Sequence, residues 1–257
     1  HEALAVVGDR LLTDLVDVTD DLAALEGSGF WAVVLPFEGP PTCARFATVR
    51  AARPWPGPPW HGPDAGDWRT SLDRDAFEDG VRRIRAAIAA GDVYQVNLTR
   101  RLSAPLPRPP AGGSTDVAAL GAALARRNPG RYSAVVRLPR AGVHVASASP
   151  ERYLSRRGST VRSSPIKGTA RTPEALLPKD RAENVMIVDL VRNDLGRVCE
   201  FGSVTVPELL EVEPYPGLVH LVSTVEGRLV PGAGWPELID ATFPPGSVTG
   251  APKLAAL

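Results

Sequence analysis

The chain has 257 residues, with 29 Lys and Arg against 29 Asp and Glu. That balance leaves no basic excess for nucleic acid, and no apolar run reaches the roughly 18 residues of a membrane-spanning helix. A chain this long buries about three quarters of its unfolded surface, so its core needs no disulfide or metal, and the two distant cysteines, Cys43 and Cys199, read as core filler in a reducing, cytoplasmic protein. No secretory signal pattern opens the sequence.

In chain order, Phe30 to Leu35 reads as a buried strand stopped by Pro36. The proline-rich stretch from Arg53 to Pro63 reads as a surface loop that closes an N-terminal lobe, and Pro105 to Gly113 has the same character. Between them, Phe77, Val81, Ile84 and Ile88 recur at helical spacing, and Gly91 supplies a stop. A strand is expected over Val93 to Leu102, where Tyr94, Val96 and Leu98 alternate with Gln95, Asn97 and Thr99. Its polar, uncharged face fits either a solvated surface or the wall of a ligand cleft. A short helix over Val117 to Arg126 and strands over Ser133 to Leu138 and Val143 to Ser147 follow. A helix is expected from Lys179 to Leu195, closed by Gly196. Strands at Ser203 to Val206 and Leu218 to Val225, and a helix from Pro236, complete the reading. Strands and helices do not alternate one for one, which points to an α+β fold with largely antiparallel sheets. The final residues from Pro252 read as a helix just beginning, which makes the chain look like part of a longer one.

Several residues along this path have chemical potential. Asp180 and Glu183 lie one turn apart on the long helix, and Glu183 shares a side with Met186, Ile187 and Leu190. A carboxylate on a buried stripe is costly unless neutralised, and Mg²⁺ accepts such oxygens. On spacing alone, an ordinary ion-pair network with Lys179 or Arg181 is the simpler account of the pair, and favourable placement of acids in the first turn of a helix explains it without a metal too. Lys167, in a turn beside Gly168, is a nucleophile or base if held out of water, and otherwise a surface lysine. Gly168 would let a substrate approach the backbone. Glu151, after Pro150, is a general acid if buried and a surface partner of Arg152 if not. His220 shares a strand face with Val222 and Thr224. The small residues from Gly246 to Ala251 lead into the last helix, where free backbone N–H groups favour an anion.

Taken singly these signals are weak, but their order is distinctive. Ser149-Pro150-Glu151-Arg152, Pro165-Ile166-Lys167-Gly168-Thr169, Asp180-Arg181-Ala182-Glu183-Asn184, Val188 to Arg197, His220-Leu221-Val222-Ser223-Thr224 and Gly246 to Lys253 together resemble the chorismate-utilising enzymes. That family includes anthranilate, aminodeoxychorismate, isochorismate and salicylate synthases. The resemblance runs over residues 70–257, which it implies are a chorismate-binding catalytic domain incomplete at its C-terminus, after a variable N-terminal lobe of residues 1–69. It implies the anthranilate synthase component I-like fold, two mainly antiparallel sheets packed face to face with helices outside.

Within the family, Lys167 resembles the lysine of the aminodeoxychorismate synthases, where anthranilate synthases usually carry alanine. The resemblance therefore implies conversion of chorismate and ammonia to 4-amino-4-deoxychorismate, for 4-aminobenzoate and folate synthesis. It makes Lys167 the nucleophile and Glu151 its acid. It places Gly168, Thr169, His220, Thr249, Gly250, Ala251 and Gln95 around chorismate, and assigns Mg²⁺ to Glu183 with Asp180. Gln95 stands where isochorismate and salicylate synthases carry a water-activating lysine, and an amide cannot serve as that base. A glutamine amidotransferase subunit or domain is the implied partner. Anthranilate synthesis and a non-catalytic chorismate-binding module are the rival expectations. Because the family's further metal and substrate ligands lie beyond this sequence, the 257 residues alone are expected to be inactive.

Overall fold

The computed structural model describes residues 2–257. In chain order the elements are β1 (Leu4–Val7), β2 (Arg10–Thr19), β3 (Phe30–Val34), β4 (Thr42–Ala51), β5 (Arg69–Thr70), α1 (Arg74–Ala90), β6 (Gln95–Val96), β7 (Leu102–Ser103), α2 (Val117–Arg127), β8 (Tyr132–Leu138) and β9 (Val143–Ser149). They continue as β10 (Arg152–Arg157), β11 (Thr160–Ser164), β12 (Ile166–Ala170), α3 (Pro178–Gly196), β13 (Thr205–Tyr215), β14 (Leu218–Arg228), α4 (Trp235–Thr242), β15 (Gly250–Ala251) and α5 (Lys253–Ala256). Every strand pairing between them is antiparallel. The fold is the expected mixture of helix and antiparallel sheet.

The chain forms two compact units, each built from two segments: the chain up to Ser71 with Arg101–Pro150, and Leu72–Arg100 with Glu151–Leu257. The sequence break at 69/70 lies beside the first crossing, and residues 101–150 pack with the N-terminal segment.

In the first unit a six-stranded sheet runs β3-β4-β2-β1-β8-β9. Alternation places Ala5, Leu12, Ala32, Ala44, Phe46, Val136 and Leu138 in one buried cluster. Val117 and Ala118 of α2 pack on Val135 of β8. Gly121 permits that approach, since a Cβ there would lie 2.2 Å from Val135 Cγ2. Asp116 caps α2 by accepting the Ala118 N–H at 2.8 Å and also meets buried Arg137 at 2.6 Å, which ties helix to sheet.

In the second unit the sheet order is β10-β11-β14-β12, with β13 also on β14. Helix α3 supplies the main core: Ile187, Val188, Val191 and Leu195 pack with Val161, Val225 and Leu238. Its limits match the expected helix to within a residue at each end. The expected buried stripe through Glu183 is corrected. Glu183 is exposed, and the buried side is Asn184, Ile187, Val188, Val191, Asp194 and Leu195. In α1 the inward line is Phe77, Gly80, Ile84 and Ala87, while Val81 and Ile88 are exposed. Gly80 lies on that line, with Leu98 Cδ2 2.8 Å from where a Cβ would sit.

Two strand expectations also change. Among the described residues, the strand expected over 93–102 pairs at Gln95–Val96 with Gly250–Ala251 and at Leu102–Ser103 with Arg69–Thr70. The strand expected at 203–206 is the eleven-residue β13. Its two register shifts hide the alternation, and Leu210 there has a φ of 59°. The last helix begins at Lys253, with Pro252 as its cap, one residue later than expected. Cys43 and Cys199 are free and buried, and burial raises the Cys199 thiol to about 11. No helix among the described residues is long and apolar enough to cross a membrane.

Candidate active site

Lys167 lies on β12 and Glu151 just before β10, and both reach one residue of a distant segment. Ser247, in the single turn Gly246–Val248, donates its hydroxyl to Glu151 Oε1 at 2.6 Å. The carbonyl of the same Ser247 accepts from Lys167 Nζ at 3.2 Å. Burial raises the Glu151 carboxyl above its ordinary value, opposed by the hydrogen bonds from Ser247 and the Ile166 backbone and by the Lys167 charge. A half-buried carboxyl held this way can keep a proton that a surface glutamate has lost, as a general acid must.

Asn97 completes the cluster. Its Nδ2 donates to Ser247 O and Thr249 O, each at 3.2 Å, and its backbone N–H donates to Thr249 O at 2.8 Å. The polar face of residues 95, 97 and 99 is thus used at Asn97 to hold the 247–249 turn. Gln95 pairs with Ala251 across β6 and β15, and its Oε1 is buried without a hydrogen-bond partner. Gly250 cannot carry a side chain, since a Cβ there would lie 2.2 Å from the Gln95 carbonyl oxygen.

Thr169 and His220 are register partners on β12 and β14, joined by a 2.9 Å hydrogen bond between Oγ1 and Nδ1. Burial pushes the His220 imidazole below its usual value, with Glu213 acting the other way. Gly168 has a φ of 100°, and a Cβ on it would meet Asp180 Cβ at 2.9 Å and Leu221 Cβ at 3.1 Å. The close approach at Gly168 is therefore to the start of α3 and to β14.

Asp180 Oδ2 accepts the Leu177 N–H at 2.8 Å and so caps α3. Asp180 and the exposed Glu183 are the acids that this helix offers a cation here. Among the described residues, no three His, Cys, Asp or Glu side chains gather to hold a metal. Two carboxylates one turn apart, one of them already accepting a backbone N–H, could supply only a part of the oxygen set of Mg²⁺.

Several residues with no role assigned from the sequence are tied into the interior of this unit. Asn184, fully buried, donates through Nδ2 to Lys167 O at 3.2 Å and Leu221 O at 2.9 Å, and accepts from Ser223 Oγ at 2.5 Å. Lys253 Nζ meets Asp194 Oδ2 at 2.6 Å and donates to Thr242 O at 2.9 Å. Thr242 Oγ1 donates to Leu238 O, so the Tyr153 hydroxyl, 2.7 Å away, is the donor to Thr242. Burial pushes the Tyr153 phenol up, which keeps it a donor. Ser247 and Asn97 gave only weak signals: membership of a small-residue run and of a polar strand face.

The family described as "chorismate binding enzyme" matches residues 45–257. This chain belongs to that family. Among curated relatives, aminodeoxychorismate synthase component 1 of Klebsiella aerogenes is 44% identical over 74% of this chain and 43% of its own length. Anthranilate synthase component 1 1 of Haloarcula marismortui is 43% identical over 74% of this chain and 40% of its own. The chain thus spans less than half the length of these relatives. Anthranilate synthase component I from Streptococcus pneumoniae superposes with a TM-score of 0.64 at 31% identity, over 79% of this chain and 44% of that one. The menaquinone-specific isochorismate synthase of Escherichia coli superposes with a TM-score of 0.71 at 18% identity, over 99% of this chain and 71% of that one, which shows the shared fold. The chorismate-binding fold expected from the motif order is the fold of this chain.

Proposed function

We propose that the protein acts as an aminodeoxychorismate synthase component I, converting chorismate and ammonia to 4-amino-4-deoxychorismate. The observation that carries this reading is the convergence of Lys167 and Glu151 on Ser247. An amine beside a carboxyl whose burial favours its protonated form is what a covalent displacement on chorismate requires. Lys167, as the free amine, forms a bond from Nζ to C2 of the ring. The ring double bonds shift, the C4–O bond breaks, and the oxygen leaves as water with the Glu151 proton. Ammonia then bonds at C4, the shift reverses, and the Nζ–C2 bond breaks to free Lys167. The adduct splits one hard displacement into two easier steps.

His220, Thr169 and the Thr249 to Ala251 backbone would line the substrate pocket beside Gly168 and Gln95. Mg²⁺, held by Glu183 and Asp180 with further ligands, would neutralise a carboxylate of chorismate when bound. The ammonia would come from a glutamine amidotransferase, in keeping with relatives named as component 1. A biosynthetic reaction of this kind would run in the cytoplasm.

A second reading, anthranilate synthase component I, has the support of relatives at nearly equal identity. The test is a product assay on the whole natural protein with chorismate, Mg²⁺ and ammonium, resolved by mass, with Lys167→Ala beside it. Aminodeoxychorismate from the wild type, cut at least about 100-fold in the variant, is the expected result. Anthranilate as the wild-type product would overturn the proposal in favour of the second reading.

A further inference from the structure

Ser247 touches both reacting groups of the proposed mechanism through different atoms. Its hydroxyl donates to Glu151 Oε1 at 2.6 Å, and its carbonyl accepts from Lys167 Nζ at 3.2 Å. The turn that carries it is held on several sides. Val248 N–H and Thr249 Oγ1 both donate to Pro245 O, at 3.1 and 3.2 Å. Gly246 lies directly on α3, where a Cβ would fall 2.3 Å from Leu190 Cδ2. Asn97 grips the carbonyls of Ser247 and Thr249 from the other side. The hydroxyl is therefore aimed by the backbone, as a positioning group must be.

We propose that Ser247 is a positioning residue for catalysis: its hydroxyl orients the Glu151 carboxyl as proton donor while its carbonyl fixes the Lys167 amine beside it. The proposal rests on the functional reading above for the reaction that it serves. When Glu151 gives up its proton, the new carboxylate charge is met at once by the Ser247 hydroxyl and the Lys167 side chain. Pre-placed donors of this kind need no reorganisation at the moment of transfer. Ser247→Ala removes the hydroxyl and leaves the backbone carbonyl, so it separates the grip on Glu151 from that on Lys167. Ser247→Thr restores the hydroxyl.

The experiment measures steady-state kinetics on the whole natural protein for the wild type, Ser247→Ala and Ser247→Thr. The expected result is a kcat lowered about 10- to 100-fold by alanine, with KM for chorismate changed less than about 3-fold, and recovery by threonine to within about 5-fold. A kcat for Ser247→Ala within about 2-fold of wild type would overturn the proposal, as would a loss that threonine does not restore. A second measurement needs no turnover. At a pH low enough to protonate Glu151, its infrared carboxyl band, assigned by its absence in Glu151→Gln, is expected to move to higher frequency in Ser247→Ala as the hydrogen bond is lost. An unmoved band would equally overturn it. A wild type that makes anthranilate, or no chorismate product, defeats the functional reading instead, and the infrared comparison still decides the role of Ser247.

Discussion

Glu151 shows most directly how a residue useful for catalysis weighs on stability. Burial raises its carboxyl, so the folded state holds the proton to a higher pH than the unfolded chain does. The associated stability is fully present below the ordinary glutamate value and is lost as pH rises through the raised one. Glu151→Gln removes the charge while keeping a group that accepts from Ser247. The variant is therefore expected to melt above wild type at pH 8, with the difference closing as pH falls below the ordinary carboxylate range. Thermal scans across pH check this, and equal melting curves at every pH would contradict the burial argument. Lys167 and Glu151 were legible as candidates from their motif surroundings, but nothing local distinguished them from surface residues. Asn184 stands out in the sequence only as part of a motif, because an amide gives no sign there of satisfying two carbonyls and a hydroxyl in the core.

At the level of elements, the end of α3 is tied to the start of α5 by the buried Asp194–Lys253 pair, with side chains 9% and 10% exposed. Burial pushes Asp194 up, and the hydrogen bond and charge of Lys253 oppose it. Removing one partner leaves a buried charge unmet. Lys253→Met is expected to destabilise the fold by about 3–5 kcal/mol in urea unfolding, and Asp194→Leu with Lys253→Met to recover most of that loss. A single variant as stable as wild type would show that water already solvates Asp194. Helix α3 was readable as a helix from Lys179 closed by Gly196. Strand β13 was not. Pro207, Pro214 and its bulges interrupt the pattern, and the Leu210 N–H finds its partner in Ser223 Oγ of β14, at 2.9 Å. The strand read over 93–102 is cut short for a different reason, since alternation makes sheet only where a neighbouring strand runs alongside, here at its two ends.

For the whole molecule, equal numbers of acidic and basic residues put the pI near 7.1. Solubility is expected to pass through a minimum near that pH and to rise severalfold by pH 5 and pH 9, read by precipitation at fixed protein concentration. A flat profile would contradict it. The sequence alone was enough for the fold class, the family and the long helices, because periodicity, turn chemistry and the order of short motifs are written locally in the chain. It did not contain the division into two units, each assembled from two separated segments. Nor did it contain the meeting of Ser247 with Glu151, 96 residues away, and with Lys167, 80 residues away. Those contacts depend on which strands pair and on how closely Gly168 and Gly246 let α3 approach. Such long-range choices are made by packing, where each placement is constrained by neighbours that local patterns do not name.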